Sequence, residues 1–359
     1  MERGLTNGLV SVIIVSWNSA RFLERCLSAL AQQTHRSIEL LHIDNASGDD
    51  SIAMVRSAFP FARQITNDTN RGFSAAVNQG VRLANGEFVL LLNPDAFLEP
   101  EYVERLVAAL DRAGETFGMA TGKLLQAESG LIDSMGIRMT RSGRHFDVDQ
   151  GRGVGSRSEK VLAHSRSQSR PHSQPITNQQ DSLPGSAPTP DPRLATPARE
   201  VFGVSGAAAM YRMSFIRDVA IGGEFLDEDF FAFREDADVA WRGQLFGWRA
   251  IYVPDAVGHH VRTVTPEKRG KLSADINMHG VKNRFLLRLK NEGVYLALRN
   301  APFELGRDLV VIIAALTIER SSLPALSWLW KNRRRIMEKR RAIQSRRRVS
   351  DRQIAGWFR

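Results

Sequence analysis

Three short polar clusters follow apolar runs in the first part of this 359-residue chain: Ser16-Trp17-Asn18, Asp44-Asn45-Ala46-Ser47-Gly48-Asp49 and Asn93-Pro94-Asp95. Far downstream, Glu235-Asp236-Ala237-Asp238 opens a helical pattern, and two imidazoles, His259 and His260, follow a further apolar run. These residue types can do chemistry. A carboxylate such as Asp95 is a hard oxygen ligand for Mg²⁺, which takes carboxylate, phosphate and water oxygens. Imidazole is a common nitrogen ligand for borderline metals. A carboxylate at a helix start can serve as a general base toward a hydroxyl. Gly72, after Asn70-Arg71 and at the head of a helical pattern, would expose unpaired backbone N–H groups to an anion, and Arg71 would add a charge-assisted contact. Taken singly, Asp, Asn and Gly are also ordinary turn formers. Three such clusters at the ends of successive strands need a further reason.

The elements that would position them alternate. Strands are expected at 9–15, 38–44, 62–66 and 88–93, and helices at 20–32, 51–59, 72–84 and 102–113. That order predicts βαβ units and a parallel sheet. Ligands bind such open sheets at the carboxyl ends of the strands, where the clusters lie. Downstream, a strand at 204–211, helices at 213–221 and 234–246 and a strand at 250–253 complete the α/β part. Beyond 272 the pattern is helical. Residues 151–200 hold seven of the fourteen prolines and few large apolar side chains, the composition of a disordered insertion. The expected organisation is therefore an α/β half (1–150), an insertion (151–200), a second α/β half (201–270) and a helical extension (271–359).

The ordered set Val12-Ile13-Ile14-Val15-Ser16-Trp17-Asn18, Ile43-Asp44-Asn45-Ala46-Ser47, Asn70-Arg71-Gly72-Phe73, Leu92-Asn93-Pro94-Asp95, Gly203-Val204-Ser205-Gly206-Ala207, Glu235-Asp236-Ala237-Asp238 and His260 resembles family 2 glycosyltransferases of the GT-A fold, in their rhamnosyltransferase-like branch. The resemblance covers about 9–150 and 201–290. It implies an inverting transfer from a UDP- or dTDP-sugar to the hydroxyl of a saccharide or lipid-linked acceptor, in cell-envelope polysaccharide or glycolipid synthesis. It implies a divalent cation, Mg²⁺ or Mn²⁺, on Asp95 and His260, with Asn93 replacing the first acid of the usual Asp-x-Asp. It places Ser16, Asn18, Asp44, Asn45, Arg71, Gly72, Asn78 and Asn93 around the donor, with Asp44 reading the base. It places Gly206 and Ala207 at the acceptor or donor sugar, and Asp236 as the base beside Glu235. Asp238 is expected to pair with Arg242 at i+4, Trp17 to pack rather than stack, and Asn78 to face the sugar or a structural bond. His259 stays open as an alternate to His260.

Composition bounds the rest. Hydrophobic residues make up 43% and charged residues 25%, ordinary for a globular chain. One cysteine, Cys26, excludes an internal disulfide and fits a reducing, cytoplasmic compartment. The start shows no signal-type segment, and no apolar run is long enough for a conventional membrane span. The net charge of +10 is concentrated in 331–348, where ten Lys and Arg face one acid. With an apolar stretch at 309–318 and Trp328 and Trp330 before it, this basic tail suggests peripheral contact with the inner face of the plasma membrane. A nucleotidyltransferase of related fold and a nucleic-acid-binding protein using the Arg-rich tail are the alternatives. The first usually has a Gly-rich basic loop after strand one, and Ser16-Trp17-Asn18-Ser19-Ala20 has no glycine. The second leaves the strand-end clusters unexplained, so no specific nucleic acid is expected.

Overall fold

The computed structural model describes residues 4–154, 198–262 and 274–359. The first segment runs β1 (Thr6–Ser16), α1 (Ala20–Ala31), β2 (Ile38–Asp44), α2 (Ser51–Ala58), β3 (Arg63–Thr66), α3 (Phe73–Leu83), β4 (Gly86–Leu92), β5 (Ala96–Leu98), α4 (Tyr102–Ala113) and β6 (Phe117–Gln126). Three short strands follow, β7 (Ile132–Ser134), β8 (Ile137–Met139) and β9 (His145–Asp147). The second segment holds β10 (Arg199–Val201), β11 (Ala208–Arg212), α5 (Met213–Val219), α6 (Glu235–Leu245) and β12 (Arg249–His260). The third is helical: α7 (Ala274–Asn291), α8 (Val294–Thr317), α9 (Pro324–Lys331), α10 (Arg333–Ser345) and α11 (Asp351–Ile354). The expected insertion falls largely on residues 155–197, outside the described residues.

Among the described residues one ten-stranded sheet runs β10-β12-β6-β11-β4-β1-β2-β3, with β5 beside β12 and β7 beside β6. Strands β4, β1, β2 and β3 are parallel, as are β6 and β12. Strand β11 lies antiparallel between β4 and β6, and β10 is antiparallel to β12, so the far half of the sheet is mixed. The parallel strands are apolar at successive positions because helices cover both faces. Val12 and Ile14 pack with Leu23 and Leu27 of α1 and Leu106 of α4, whereas Ile13 packs with Ala76 and Val77 of α3. Each such fully buried side chain contributes about 1.5–3 kcal/mol. Parallel register sets Ser16 opposite Asp44 and Asp44 opposite Thr66, so the polar clusters emerge along one edge.

Strand β12 continues well past 253. A register shift between Val253 and Val257 absorbs Pro254, which lacks a donor, and the strand resumes to His260. Its last residues pair antiparallel with β5, Gly258 with Leu98 and His260 with Ala96.

The basic C-terminal stretch is not a solvated tail. Lys339 of α10 pairs with Asp227 (2.7 Å), Glu224 (2.9 Å) and Asp229 (3.2 Å), and Arg335 pairs with Asp229. Arg347 bonds Asp351 (2.7 Å), and Arg348 bonds Asp218 (2.7 Å). Much of the charge that suggested an acidic external partner is satisfied by acids of the same chain.

Candidate active site

At the edge formed by β1, β2 and β4, the polar groups are tied to one another. Gln64 donates to Nδ1 of His42 (3.1 Å), the ring's other nitrogen meets Ser16 Oγ (2.7 Å), and Ser16 donates to Asp44 Oδ1 (2.9 Å). Burial first, only partly opposed by the Asp44 charge, pushes His42 down to about 4, so the ring is neutral. Asp44 is fully buried, and its second oxygen accepts the Ser47 N–H (2.9 Å). Asp44 therefore staples strand ends and the loop after β2. Ser16 is likewise consumed by His42 and Asp44. Asn45, also buried, donates to the Gly72 carbonyl (3.1 Å) and accepts from Asn67 (3.0 Å), joining the loop after β2 to the start of α3.

At the N-terminus of α3 one N–H is already taken, the Phe231 carbonyl accepting from Ser74 (3.1 Å). Gly72 sits at φ 84°, and a Cβ there would lie 2.5 Å from the Phe231 ring, so its missing side chain makes room for that aromatic residue. Asn78 is buried and fully committed to the backbone of Leu226 (2.7 and 3.0 Å) and to Glu228 (3.1 Å), which makes it a structural bond. What faces outward is Asn18, in the left-handed region at φ 51°, Arg71, and Trp17 at 58% exposure. The expectation that Trp17 packs is thus overturned: the indole stands open at the edge.

The second cluster is built by the β5–β12 pairing. The Val261 N–H donates to the Asp95 carbonyl (2.9 Å), which brings His260 Nε2 within 3.3 Å of Asp95 Oδ1. Nδ1 of the same ring meets Asp133 Oδ2 (2.8 Å), a fully buried carboxylate that also receives Arg262 (2.8 Å). Burial works to lower the His260 pKa, but bonds to Asp133 and Asp95 outweigh it and hold the ring at about 9. Strand alternation sends His259 the other way, to Glu99 (2.9 Å). No group of three or more acidic, His or Cys ligands forms among the described residues. The donor set still suits Mg²⁺ or Mn²⁺, since such sites use one or two protein ligands plus substrate phosphate oxygens. A carboxylate behind the second nitrogen is the usual way to orient a ligating imidazole. Asn93 supports this loop through its backbone, its N–H donating to the Ala207 carbonyl (2.9 Å).

The third cluster is the start of α6. Asp236 accepts from the Ala237 N–H (2.7 Å) and the Gly206 N–H (3.3 Å). The dipeptide Gly206-Ala207 thus touches both centres, one residue bonding Asp236 and the next bonding Asn93 beside Asp95. Burial, then Asp147, pushes Asp236 up to about 6. Burial, then Asp236 itself, pushes Glu235 up to about 8, and Glu235 Oε2 has no partner. At neutral pH the charge therefore resides on Asp236, which has two N–H donors, while Glu235 keeps its proton.

The loop leading into α6 is held from behind. Phe231, Phe233 and Arg234 all have positive φ, between 65° and 71°, a costly conformation for such residues. One buried amide, Asn283 of α7, donates to the carbonyls of Phe230 (3.0 Å), Ala232 (2.8 Å) and Phe233 (2.8 Å). Asp238 pairs with Arg242 (3.0 Å) as expected, and also with Lys290 (3.1 Å) and Asn291 (2.7 Å) of α7. The sequence reasoning missed Asp133, Asp147 and Arg262. Arg262 links the two acids, bonding Asp147 at 2.7 Å, and so connects the Asp95–His260 pair to the surroundings of Asp236. Asp133 and Asp147 sit on three-residue strands with no periodicity to betray them.

Residues 11–123 match the sequence profile of glycosyl transferase family 2. That match covers about a third of the chain. Its 270-residue alignment with the N-acetylglucosaminyl-diphospho-decaprenol L-rhamnosyltransferase of Mycobacterium tuberculosis (strain ATCC 25618 / H37Rv) is 25% identical, covering 70% of this chain and 76% of that one. The chondroitin synthase of Escherichia coli is 30% identical over 133 residues, 35% of this chain and 19% of its own. The chain spans 29% to 41% of the length of three other glycosyltransferase relatives. Among solved structures, GalNAc-T7 with UDP, GalNAc and Mn²⁺ superposes with a TM-score of 0.55 at 14% identity, over 79% of this chain and 48% of that one. The chain thus shares the GT-A fold.

Proposed function

We propose that this chain is an inverting, cation-dependent glycosyltransferase of family 2. It moves a sugar, with a rhamnose-like deoxysugar favoured, from a UDP- or dTDP-sugar to an acceptor hydroxyl in cell-envelope polysaccharide or glycolipid synthesis. The observation that carries this reading is the Gly206-Ala207 bridge, which ties the base candidate to the loop of the cation candidate through two backbone hydrogen bonds.

Residues 1–150 bind the donor in this reading. The Trp17 face stacks on the pyrimidine, and Asn18 and Arg71 reach the ribose and diphosphate. Asp95 and His260 hold Mg²⁺ or Mn²⁺, which when bound offsets the negative charge of the departing diphosphate. The Mn²⁺ in the GalNAc-T7 structure supports a cation in this fold. Residues 201–270 face the acceptor. Asp236, ionised, takes the proton of the acceptor hydroxyl as that oxygen attacks the anomeric carbon from the side opposite the diphosphate, so the configuration inverts. Glu235 stays protonated and leaves the negative charge to Asp236. The name of the mycobacterial relative specifies rhamnosyl transfer to a diphospho-decaprenol-linked sugar. It supports a lipid-linked acceptor here and work at the inner face of the plasma membrane.

A thermal-shift panel of UDP-, dTDP- and GDP-sugars with Mg²⁺ or Mn²⁺ tests the donor, because selective binding stabilises the native state by mass action. A UDP- or dTDP-sugar should raise Tm only with cation present, and NMR of the product should show the anomeric configuration opposite to the donor's. Stabilisation by no nucleotide-sugar, or a retained configuration, would overturn the proposal.

A further inference from the structure

Helix α8 is turned inside out. Val294, Leu298, Leu305, Leu309, Ile313 and Leu316 recur mostly four residues apart along one face, and all are between 50% and 73% exposed. The face against the body is the polar one: Glu304 bonds Arg288 (2.9 Å) and Asp308 bonds Arg284 (3.1 Å), both on α7. A helix packed on a globular domain normally buries its apolar stripe and shows its charges to water. Here the ion pairs lie inside and, Leu296 apart, the leucines outside. The ten residues from Leu309 to Ile318 carry no charge, and Ile318 at the end of the stretch is 84% exposed.

The chain then bends by 111° into the segment Arg320–Lys331. That segment ends at Trp330, 69% exposed, followed by the exposed Lys331, Arg333 and Arg334. From Arg320 to Met337 there are five basic residues and no acid. Arg335 is spent on Asp229, which leaves Arg320, Lys331, Arg333 and Arg334 at the surface. No single helix among the described residues is long and apolar enough to cross a membrane. An apolar face rimmed by tryptophan and uncompensated cations is the composition of an element that lies in an anionic lipid interface.

We propose that the elbow of α8 and α9 is the surface by which the chain sits on an anionic bilayer. The apolar face of α8 enters the boundary of the acyl chains, and Trp330, Lys331, Arg333 and Arg334 lie among the headgroups. The interior ion pairs of Arg335 and Lys339 leave α10 beyond Arg334 as the clamp that holds the elbow to the sheet domain, not as the anchor. The acid-free cationic rim favours lipid over a second copy of the chain, because an isologous pair would bring like charges together. The purpose of this surface rests on the lipid-linked acceptor proposed above, although the exposed face itself does not.

The test is flotation of the full chain with vesicles of phosphatidylcholine and phosphatidylglycerol and with phosphatidylcholine alone, beside Leu309→Glu with Ile313→Glu and beside Lys331→Ala with Arg333→Ala and Arg334→Ala. Both variants change exposed residues and should keep the native Tm. The native chain should float with the anionic vesicles, the glutamate variant should lose binding at least about tenfold, and each removed cation should cost about fivefold on anionic vesicles only. A glutamate variant that floats like the native chain would overturn the proposal. So would a native chain that stays with the aqueous phase and forms a dimer, seen by light scattering, that the glutamate variant dissolves. Thermal shift by a nucleotide-sugar in the same samples separates the two claims: a retained shift without flotation defeats the membrane surface alone, and flotation without a shift defeats the donor assignment alone.

Discussion

Polar groups meet opposite fates in two parts of this molecule. At the edge of β1, β2 and β4, small polar side chains consume one another: Ser16, Asp44 and Asn45 are buried and bonded, while Trp17, Asn18 and Arg71 look outward. In the helical segment, full charges are drawn inside, Lys290 between Asp227 and Asp238, and Lys339 among Glu224, Asp227 and Asp229, while the apolar face of α8 stays exposed. The comparison shows that residue type does not decide exposure. An Asp at a strand end can be a staple, and a run of arginines can be a clamp. The groups left over at each place, an indole at one and a leucine stripe at the other, are the ones available to ligands.

Breaking the interior charges should have the largest effect. Asp238→Ala leaves Arg242 without its carboxylate in the core and Lys290 with Asp227 alone, and removing one partner of a buried ion pair costs about 3–5 kcal/mol. Circular dichroism should show a drop in Tm large enough to threaten solubility; an unchanged Tm would mean the clamp is dispensable. At the edge, Asp44→Ala removes the acceptor of Ser16 and Ser47, a loss of about 1–3 kcal/mol for buried polar groups left unpaired. If Asp44 instead read the base directly, donor affinity would fall with Tm unchanged. Trp17→Ala should do the reverse of Asp44→Ala: it leaves Tm alone and weakens donor binding by about 1–3 kcal/mol, the scale of one base–aromatic stack. Titration calorimetry with UDP or dTDP decides it.

The smallest effect concerns pH. Glu235 and Asp236 are held at about 8 and about 6 by burial first and then by neighbouring carboxylates. The native state therefore keeps protons that the unfolded chain has already released, and stability falls as pH rises from about 4 to about 8. Glu235→Gln removes this penalty, so its Tm at pH 8 should exceed that of the native chain by about 2 °C or more, the shift that roughly 1 kcal/mol produces in a domain of this size. A lower Tm at that pH would contradict the assignment of the proton to Glu235.

The alternating strands and helices from β1 to α4 were legible in the sequence because parallel strands buried on both faces leave apolar runs, and the helices between them keep a 3.6-residue period. The reach of β12 to His260 was not, because Pro254 and the register shift imitate a strand end. Which polar residue faces out was not legible either. It depends on pairing register and on partners such as His42, Phe231 and Leu226 that come from distant parts of the chain. Asp95, His260 and Asp236 could be singled out by type and order, but the Gly206-Ala207 bridge between them is made of backbone groups, which leave no mark in a side-chain pattern. The basic tail misled for a related reason, since, Asp351 apart, its acids lie more than a hundred residues upstream.

The central claim is that Asp236 takes the acceptor proton while Asp95 and His260 serve the donor, and turnover of Asp236→Asn measured beside nucleotide-sugar binding tests it most directly. The transfer rate should fall by about 10²–10⁴-fold with the cation-dependent thermal shift unchanged. Near-native turnover, or loss of donor binding together with turnover, would contradict it.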